Sequence, residues 1–301
     1  MYYQRGLLNR VNYRQPLNRT ISRPISNVSS LRVLGLESSC DETGIAVVSL
    51  DKKVLSSQLH SQWMIHHAHG GVVPTIARRK HAEHINALIS AALLEARTVT
   101  VTDQDAVGKY GLEVDEENHL KNTKANVAWL EEVMNNFNAL NAHEAAMGHC
   151  GSSSTDVSKL PITLNIDAIA VTQGPGLSGC LGVGVDTARA LSRHFSKPMV
   201  AVNHVLAHGH VSQLNTPVKY PYLALIVSGG HSQVQWVEGP DDATILASTV
   251  DDAVGEAFDK AHRLLALEDV SWDEVEQVVE QTEDAVYHQV VATMQLPHVA
   301  G

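Results

Sequence analysis

Cysteine is scarce in this chain, and the three present, Cys40, Cys150 and Cys180, are widely separated. An odd count with no CxxC pair excludes a disulfide framework and a thiolate zinc ribbon, and it suits a reducing compartment. Long apolar runs are missing too. A membrane-spanning helix needs about 20 consecutive apolar residues, whereas stretches such as "YLALIVSGG" stop at glycine after a strand's length. Two hydrolase signatures are also absent. Val205 stands where a zinc protease of the HExxH type needs its glutamate, and there is no GxSxG nucleophile turn.

Acidic residues are lacking from the first 36 positions, which hold Arg5, Arg10, Arg14, Arg19, Arg23 and Arg32. Basic, acid-poor and carrying Leu7, Leu8 and Val11, residues 1–30 read as a mitochondrial targeting segment, with a disordered basic tail as the alternative. Of a net charge of -11, this region contributes +6, so the remainder carries -17. Such a body disfavours general nucleic-acid binding, and any RNA contact needs a local basic patch. Arg78, Arg79 and Lys80 form the densest one, with a solvated helix face as the plain alternative.

What is present supports a globular α/β protein, since 301 residues at 44% hydrophobic content suffice for one large or two modest domains. Apolar runs at 31–36 and 45–50 flank the polar turn "SSCDETG", predicting strand, turn, strand. Ile85, Leu88, Ile89, Ala92 and Leu93 recur at helical spacing, and "IDAIAVTQ" predicts a core strand at 166–173. Residues 97–160 are polar, contain one helical pattern and a "GSSSTD" linker, and read as an insertion. The glycine-rich "GPGLSGCLGVGV" leads into a helix, where the glycines allow close approach to a sheet or a phosphate. A second strand, turn, strand unit follows at "YLALIVSGGHSQVQWVEG". Ser271 and Glu274, at capping-box spacing, open an expected terminal helix.

Two such turns in this order suit the actin-like ATPase fold of actin, hexokinase and the heat-shock ATPases, in which backbone N–H groups receive phosphate. An ordinary hairpin at "SGG" is the competing reading. His204 and His208 stand four apart, so on a helix they share one face and suit two ligands of one metal. With 17 histidines in the chain, chance also gives such a pair. His66, His67 and His69 lie in a glycine-flanked stretch and read as exposed polar residues, and Cys40 reads as structural.

Taken together, "GLESSCDETGIAVV", "GGVVP" followed by Arg79 and His81, "DAIAVTQGPGLSG", "VNHVLAH", "LIVSGGHSQ" and "GEAFDK" resemble the tRNA threonylcarbamoyl transferase family, over roughly 31–96 and 166–265. With the arginine-rich leader the resemblance is to the mitochondrial branch. It implies an actin-like ATPase fold with a complete first lobe at 31–215 and a partial second lobe at 216–301. It further implies that His204 and His208 bind one divalent ion, iron or zinc. Ile226, Val227, Ser228, Gly229 and Gly230 would contact the adenylate of threonylcarbamoyl-adenylate, with Asp259 at its ribose. Asp41 and Glu42 match the acidic pair of the first turn, as candidates for the base that deprotonates the tRNA adenosine amine. A homodimer is implied as well. Thr75 and Ala207 depart from the family pattern, and this sequence does not include the later second-lobe segments that carry a third metal ligand, an aspartate. A non-catalytic, truncated paralogue acting as a binding partner is therefore the second reading. A small-molecule kinase on the same fold has less support, because no sugar-binding acidic site stands out.

Overall fold

In Arg32–Glu37 and Glu42–Ser49 the apolar residues alternate, and every second side chain is buried: Leu34 and Leu36 in the first, Ile45 and Val47 in the second. This period of two makes them strands with one face on the core. The computed structural model describes residues 10–12, 31–69, 71–146 and 161–264, with Glu274 and Gln277. In chain order the elements are β1 (Arg10–Asn12), β2 (Arg32–Glu37), β3 (Glu42–Ser49), β4 (Val54–Ser61), α1 (Trp63–His67), α2 (Pro74–Glu95), β5 (Val99–Val101), α3 (Gln104–Tyr110) and α4 (Lys124–Ala146). They continue with β6 (Ile162–Leu164), β7 (Ala168–Gly174), α5 (Ser178–His194), β8 (Met199–Asn203), α6 (His204–Val211), β9 (Tyr222–Val227), β10 (Ser232–Gly239), β11 (Asp242–Ser248) and α7 (Val254–Leu264).

The main sheet has the order β4-β3-β2-β7-β8. Strands β2 to β4 form an antiparallel meander, and β7 and β8 add in parallel to β2. This is the strand order of an actin-like ATPase lobe, as the sequence led us to expect. Helix α2 starts at Pro74, whose fixed φ suits the first helical position, and it buries Ile85, Ile89 and Leu93 against the sheet side of the core. A second sheet has the order β1-β11-β10-β9.

The segment expected as a polar insertion is part of the core. Leu112, Leu120, Leu130, Met134 and Phe137 join the main cluster, and α4 packs on α2 and α5. An amide chain pins the α2–α4 contact, with Asn86 donating to Asn135 at 2.7 Å and Asn138 donating to Asn86 at 3.2 Å. The polarity that suggested an insertion belongs to the outer faces of elements whose inner faces are apolar. Its "GSSSTD" linker lies outside the described residues.

By contacts the chain divides into residues 1–226 with 232–248, and residues 227–231 with 249–301. The first unit thus takes in the second sheet, where the sequence suggested a division near 215. Within the arginine-rich leader, Arg10–Asn12 pairs antiparallel with β11, and the rest lies outside the described residues. The expected terminal helix after Ser271 also falls outside them, apart from the helical Glu274 and Gln277.

Candidate functional site

Three parallel neighbours, β2, β7 and β8, end on the same edge of the main sheet, and each delivers a polar residue there. Glu37 is the last residue of β2, Thr172 lies near the end of β7, and Asn203 ends β8. The carboxyl ends of parallel strands are where open α/β sheets bind ligands. Asn203 turns the chain from strand to helix, its side-chain oxygen accepting from the N–H groups of Val205 and Leu206 at 3.0 Å each. His204 is therefore the first residue of α6, held over that edge.

One turn later His208 comes round to the same face, and its Nε2 stands 3.1 Å from Nε2 of His204. Two imidazole nitrogens on one tetrahedral ion at 2.0–2.1 Å would be about 3.3 Å apart, so the pair converges at ligating distance. The other ring nitrogen of His204, Nδ1, meets Glu37 Oε2 at 3.1 Å and Ser39 Oγ at 3.2 Å. Glu37 also accepts from Thr172 Oγ1 and from the Ser39 amide, each at 2.5 Å. Burial alone would raise its pKa, but the hydrogen bonds from His204, Ser39 and Thr172 outweigh burial and hold it at about 2, against an ordinary 4.5. Glu37 is thus a carboxylate, with Nδ1–H of His204 donating to it. A carboxylate behind an imidazole whose far nitrogen points at a second imidazole is the arrangement that supports a metal ligand. Imidazole donors suit zinc and iron. Among the described residues no cluster of three or more metal-ligating side chains is found.

A family model for TsaD, tRNA N6-adenosine threonylcarbamoyltransferase, matches residues 53–108 and 138–299, and the second stretch includes both histidines. The chain belongs to this family. Among curated members, the tRNA N6-adenosine threonylcarbamoyltransferase of Geobacter sp. (strain M21) is 38% identical over 235 residues, covering 78% of this chain and 50% of that protein. Its counterpart from Kosmotoga olearia is 38% identical over 238 residues, covering 79% and 53%. The chain therefore spans about half the length of these relatives. Among solved structures, YeaZ from Pseudomonas aeruginosa aligns over 73% of this chain and 66% of its own, at 11% identity and a TM-score of 0.32. At that score the superposition adds nothing to the strand order above.

The other candidate residues fall in several places. Asp41 closes the β2–β3 turn, its carbonyl accepting from the Gln62 amide at 3.1 Å, and Glu42 opens β3, exposed. The carboxylate that holds His204 is thus Glu37, which spacing did not single out. A glutamate closing an otherwise apolar strand was the available signal. The loop before α5 and the helix itself pack on the β2–β3 turn. A Cβ on Gly176 would lie 2.6 Å from the Ser39 carbonyl, and one on Gly184 would lie 2.6 Å from Ser38 Oγ. These glycines serve close packing against that turn. Cys40 is an inert thiol. Although the residue is exposed overall, desolvation and the neighbouring Asp41 push its pKa up to about 12.

In the second unit, Ser228 donates its amide to the His231 carbonyl at 2.8 Å, and its Oγ accepts from the His231 amide at 3.0 Å, closing the "SGG" turn. The Gly255 amide donates to Ser228 O at 3.2 Å, and a Cβ there would come within 2.7 Å of Gly229 Cα. Glycine at 255 therefore lets α7 start against the turn, with Asp259 exposed one helical turn further on. Ile226 is buried in β9, while Val227 is exposed.

Of the upstream histidines, His66 is a correction. It is buried at 3% exposure, its Nδ1 accepting from the Val73 amide at 3.2 Å and its Nε2–H donating to Gln62 Oε1 at 3.0 Å. Both nitrogens thus brace the turn before α2. His69 is exposed as expected, and the side chain of His67 lies outside the described residues. Arg78 and Arg79 are exposed, whereas Lys80 reaches Glu83 at 2.7 Å and Arg79 reaches it at 3.5 Å.

Proposed function

We propose that this chain carries the first lobe and part of the second of a mitochondrial enzyme that modifies tRNA. The enzyme would transfer the threonylcarbamoyl group from threonylcarbamoyl-adenylate to the exocyclic amine of the adenosine beside the anticodon. The observation that carries this reading is the convergence of His204 and His208, backed by Glu37, at the carboxyl ends of β2, β7 and β8 in a member of this family. His204 and His208 would hold one divalent ion, iron or zinc, whose chemistry is Lewis-acid stabilisation of phosphate charge.

The protein's own groups do the rest. The turn of Ser228, Gly229 and Gly230, beside Ile226 and Val227, receives the adenylate through the backbone N–H groups of Gly229 and Gly230, and Asp259 accepts from its ribose. The amine nitrogen forms a bond to the carbamoyl carbon, the bond from that carbon to the phosphate oxygen breaks, and AMP leaves with the electron pair. Asp41 or Glu42 takes the amine proton. Mitochondrial targeting is supported by six arginines without an acid in the first 36 residues.

The test is metal content after dialysis, together with AMP release and threonylcarbamoyl incorporation into tRNA, for the 301-residue chain, His204→Ala and His208→Ala. Each substitution should remove the metal and the transfer while leaving the circular dichroism unchanged. Metal content unchanged in both variants would end the ligand assignment. A metal-loaded chain that binds the adenylate but transfers nothing would favour the binding-partner reading. A fluorescent fusion of residues 1–30 that stays cytosolic would end the mitochondrial assignment.

A further inference from the structure

Neither the family match nor the spacing of the motif gives Glu37 a role, and the matched stretches begin only at residue 53. Its surroundings define one. The carboxylate is fixed at both oxygens, Oε1 by the Ser39 amide and Oε2 by Thr172 Oγ1, so it is held in place against Nδ1 of His204, which also meets Ser39 Oγ. Every one of these partners donates to it. A carboxylate only accepts, so Nδ1 of His204 carries the hydrogen, and in the neutral ring that tautomer leaves Nε2 as the acceptor, 3.1 Å from Nε2 of His208.

We propose that Glu37 is the positioning residue of the histidine pair: through Nδ1 it fixes the tautomer and ring orientation of His204, and so sets the affinity of the pair for a divalent cation. This rests on the reading of the two histidines as ligands. Thr172, buried at 5% exposure, acts one step further back by holding the carboxylate, whereas Ser39, buried at 4%, gives its amide to the carboxylate and sets its Oγ 3.2 Å from Nδ1 of His204. The same edge explains the glycine at 176. Its bare Cα is what lets the loop before α5 press on Ser39, and the Leu177 amide donates to the Ser39 carbonyl at 2.7 Å.

Glu37→Gln tests this with little change in shape. A glutamine offers one acceptor oxygen where three donors, the Ser39 amide, Thr172 Oγ1–H and His204 Nδ1–H, now converge. At least one is left facing an N–H, and the His204 ring loses its fixed tautomer. Two readouts apply to the 301-residue chain: zinc affinity by competition with a chromophoric chelator, and the His204 tautomer from long-range 15N–1H NMR correlations in zinc-free protein. The parent should show Nδ1–H at His204. Glu37→Gln should show a tautomer mixture and bind zinc about 10- to 100-fold more weakly, with Glu37→Asp restoring part of the affinity because it keeps the charge.

An unchanged tautomer with zinc affinity within twofold of the parent would overturn the proposal. If Glu37→Gln fails to fold, Thr172→Val replaces it, removing one donor to the carboxylate, and a severalfold loss of zinc affinity is expected there. A parent that takes up no zinc defeats the ligand reading of the histidines, and the tautomer comparison then decides the Glu37 assignment by itself.

Discussion

His81 shows how a histidine can be structural and still make the protein sensitive to pH. It is completely buried on α2, its Nε2–H donating to the Cys40 carbonyl at 3.0 Å and its Nδ1 accepting from Thr43 Oγ1 at 2.7 Å, so it clamps the β2–β3 turn to the helix in the neutral form. Desolvation lowers its pKa below the ordinary 6.5, overriding the Cys40 hydrogen bond and the fields of Glu37 and Asp41. The unfolded chain therefore binds this proton more readily than the folded one. The contribution of His81 is fully present above pH 6.5 and is lost progressively as the pH falls below it. His81→Gln should cost about 1–3 kcal/mol at pH 7.5, because Thr43 and Cys40 lose a matched partner. It should also make stability fall less steeply than in the parent between pH 7.5 and pH 5, as followed by urea unfolding. Parallel pH profiles would show that His81 is not the titrating group. In the sequence His81 is only one member of a motif, and no spacing marks Glu37 out. Spacing reveals His204 and His208 because four residues make one helical turn, but nothing local reveals a partner 167 residues away. His66 misled for the converse reason, since flanking glycines suggest exposure while burial is decided by chain that folds back over it.

Strands and helices were easier to read than single contacts, because their periods are written in consecutive residues. The turn of "SSCDETG", the strand at 168–174 and helix α2 stand within a few residues of where their patterns put them. Within residues 97–146, Leu130, Met134 and Phe137 signal a helix with an apolar stripe but do not say that the stripe joins the main core, and the family model leaves 109–137 unmatched, as an inserted segment would be. The glycines of α5 and the loop before it were read as serving either a phosphate or close packing, and the distances decide for packing at two of them. Gly176 has φ +154° and a neighbouring backbone carbonyl 2.6 Å from where a Cβ would sit, which no side-chain rotation can relieve. Gly176→Ala should destabilise by about 1–3 kcal/mol through strain and overpacking. Gly182, with nothing within 4 Å of an added Cβ, is the internal comparison. Gly182→Ala should be neutral or stabilise by up to about 1 kcal/mol, because alanine is the better helix former. Chemical denaturation of both variants measures the contrast, and equal stabilities would mean that the loop before α5 moves freely away from Ser39.

The charge of the whole chain sets a constraint that no single motif shows. Outside the first 36 residues the protein carries -17, so a polyanion such as tRNA is repelled everywhere except where cations gather. Around the start of α2 the basic patch is partly neutralised already, because Glu83 takes Lys80 at 2.7 Å and Arg79 at 3.5 Å, and both lower the pKa of Glu83. Arg78 differs. It is exposed, and its stem lies over Gly179 at the start of α5, Cδ being 3.3 Å from where a Cβ there would sit, so the guanidinium rests on a firm base. An arginine whose stem is already packed loses less freedom on meeting a phosphate. If tRNA binds this face, the three cations should contribute unequally. Arg78→Ala should weaken binding most and reduce the slope of log affinity against log salt by about 1, the share of one phosphate contact. Arg79→Ala and Lys80→Ala should do less. Glu83→Gln should strengthen binding and steepen the slope, because it releases two cations and removes one anion. Fluorescence anisotropy with a labelled tRNA over a series of salt concentrations measures all four. Affinity and slope unchanged in both Arg78→Ala and Glu83→Gln would reduce the patch to a solvated helix face and place the RNA elsewhere on the protein.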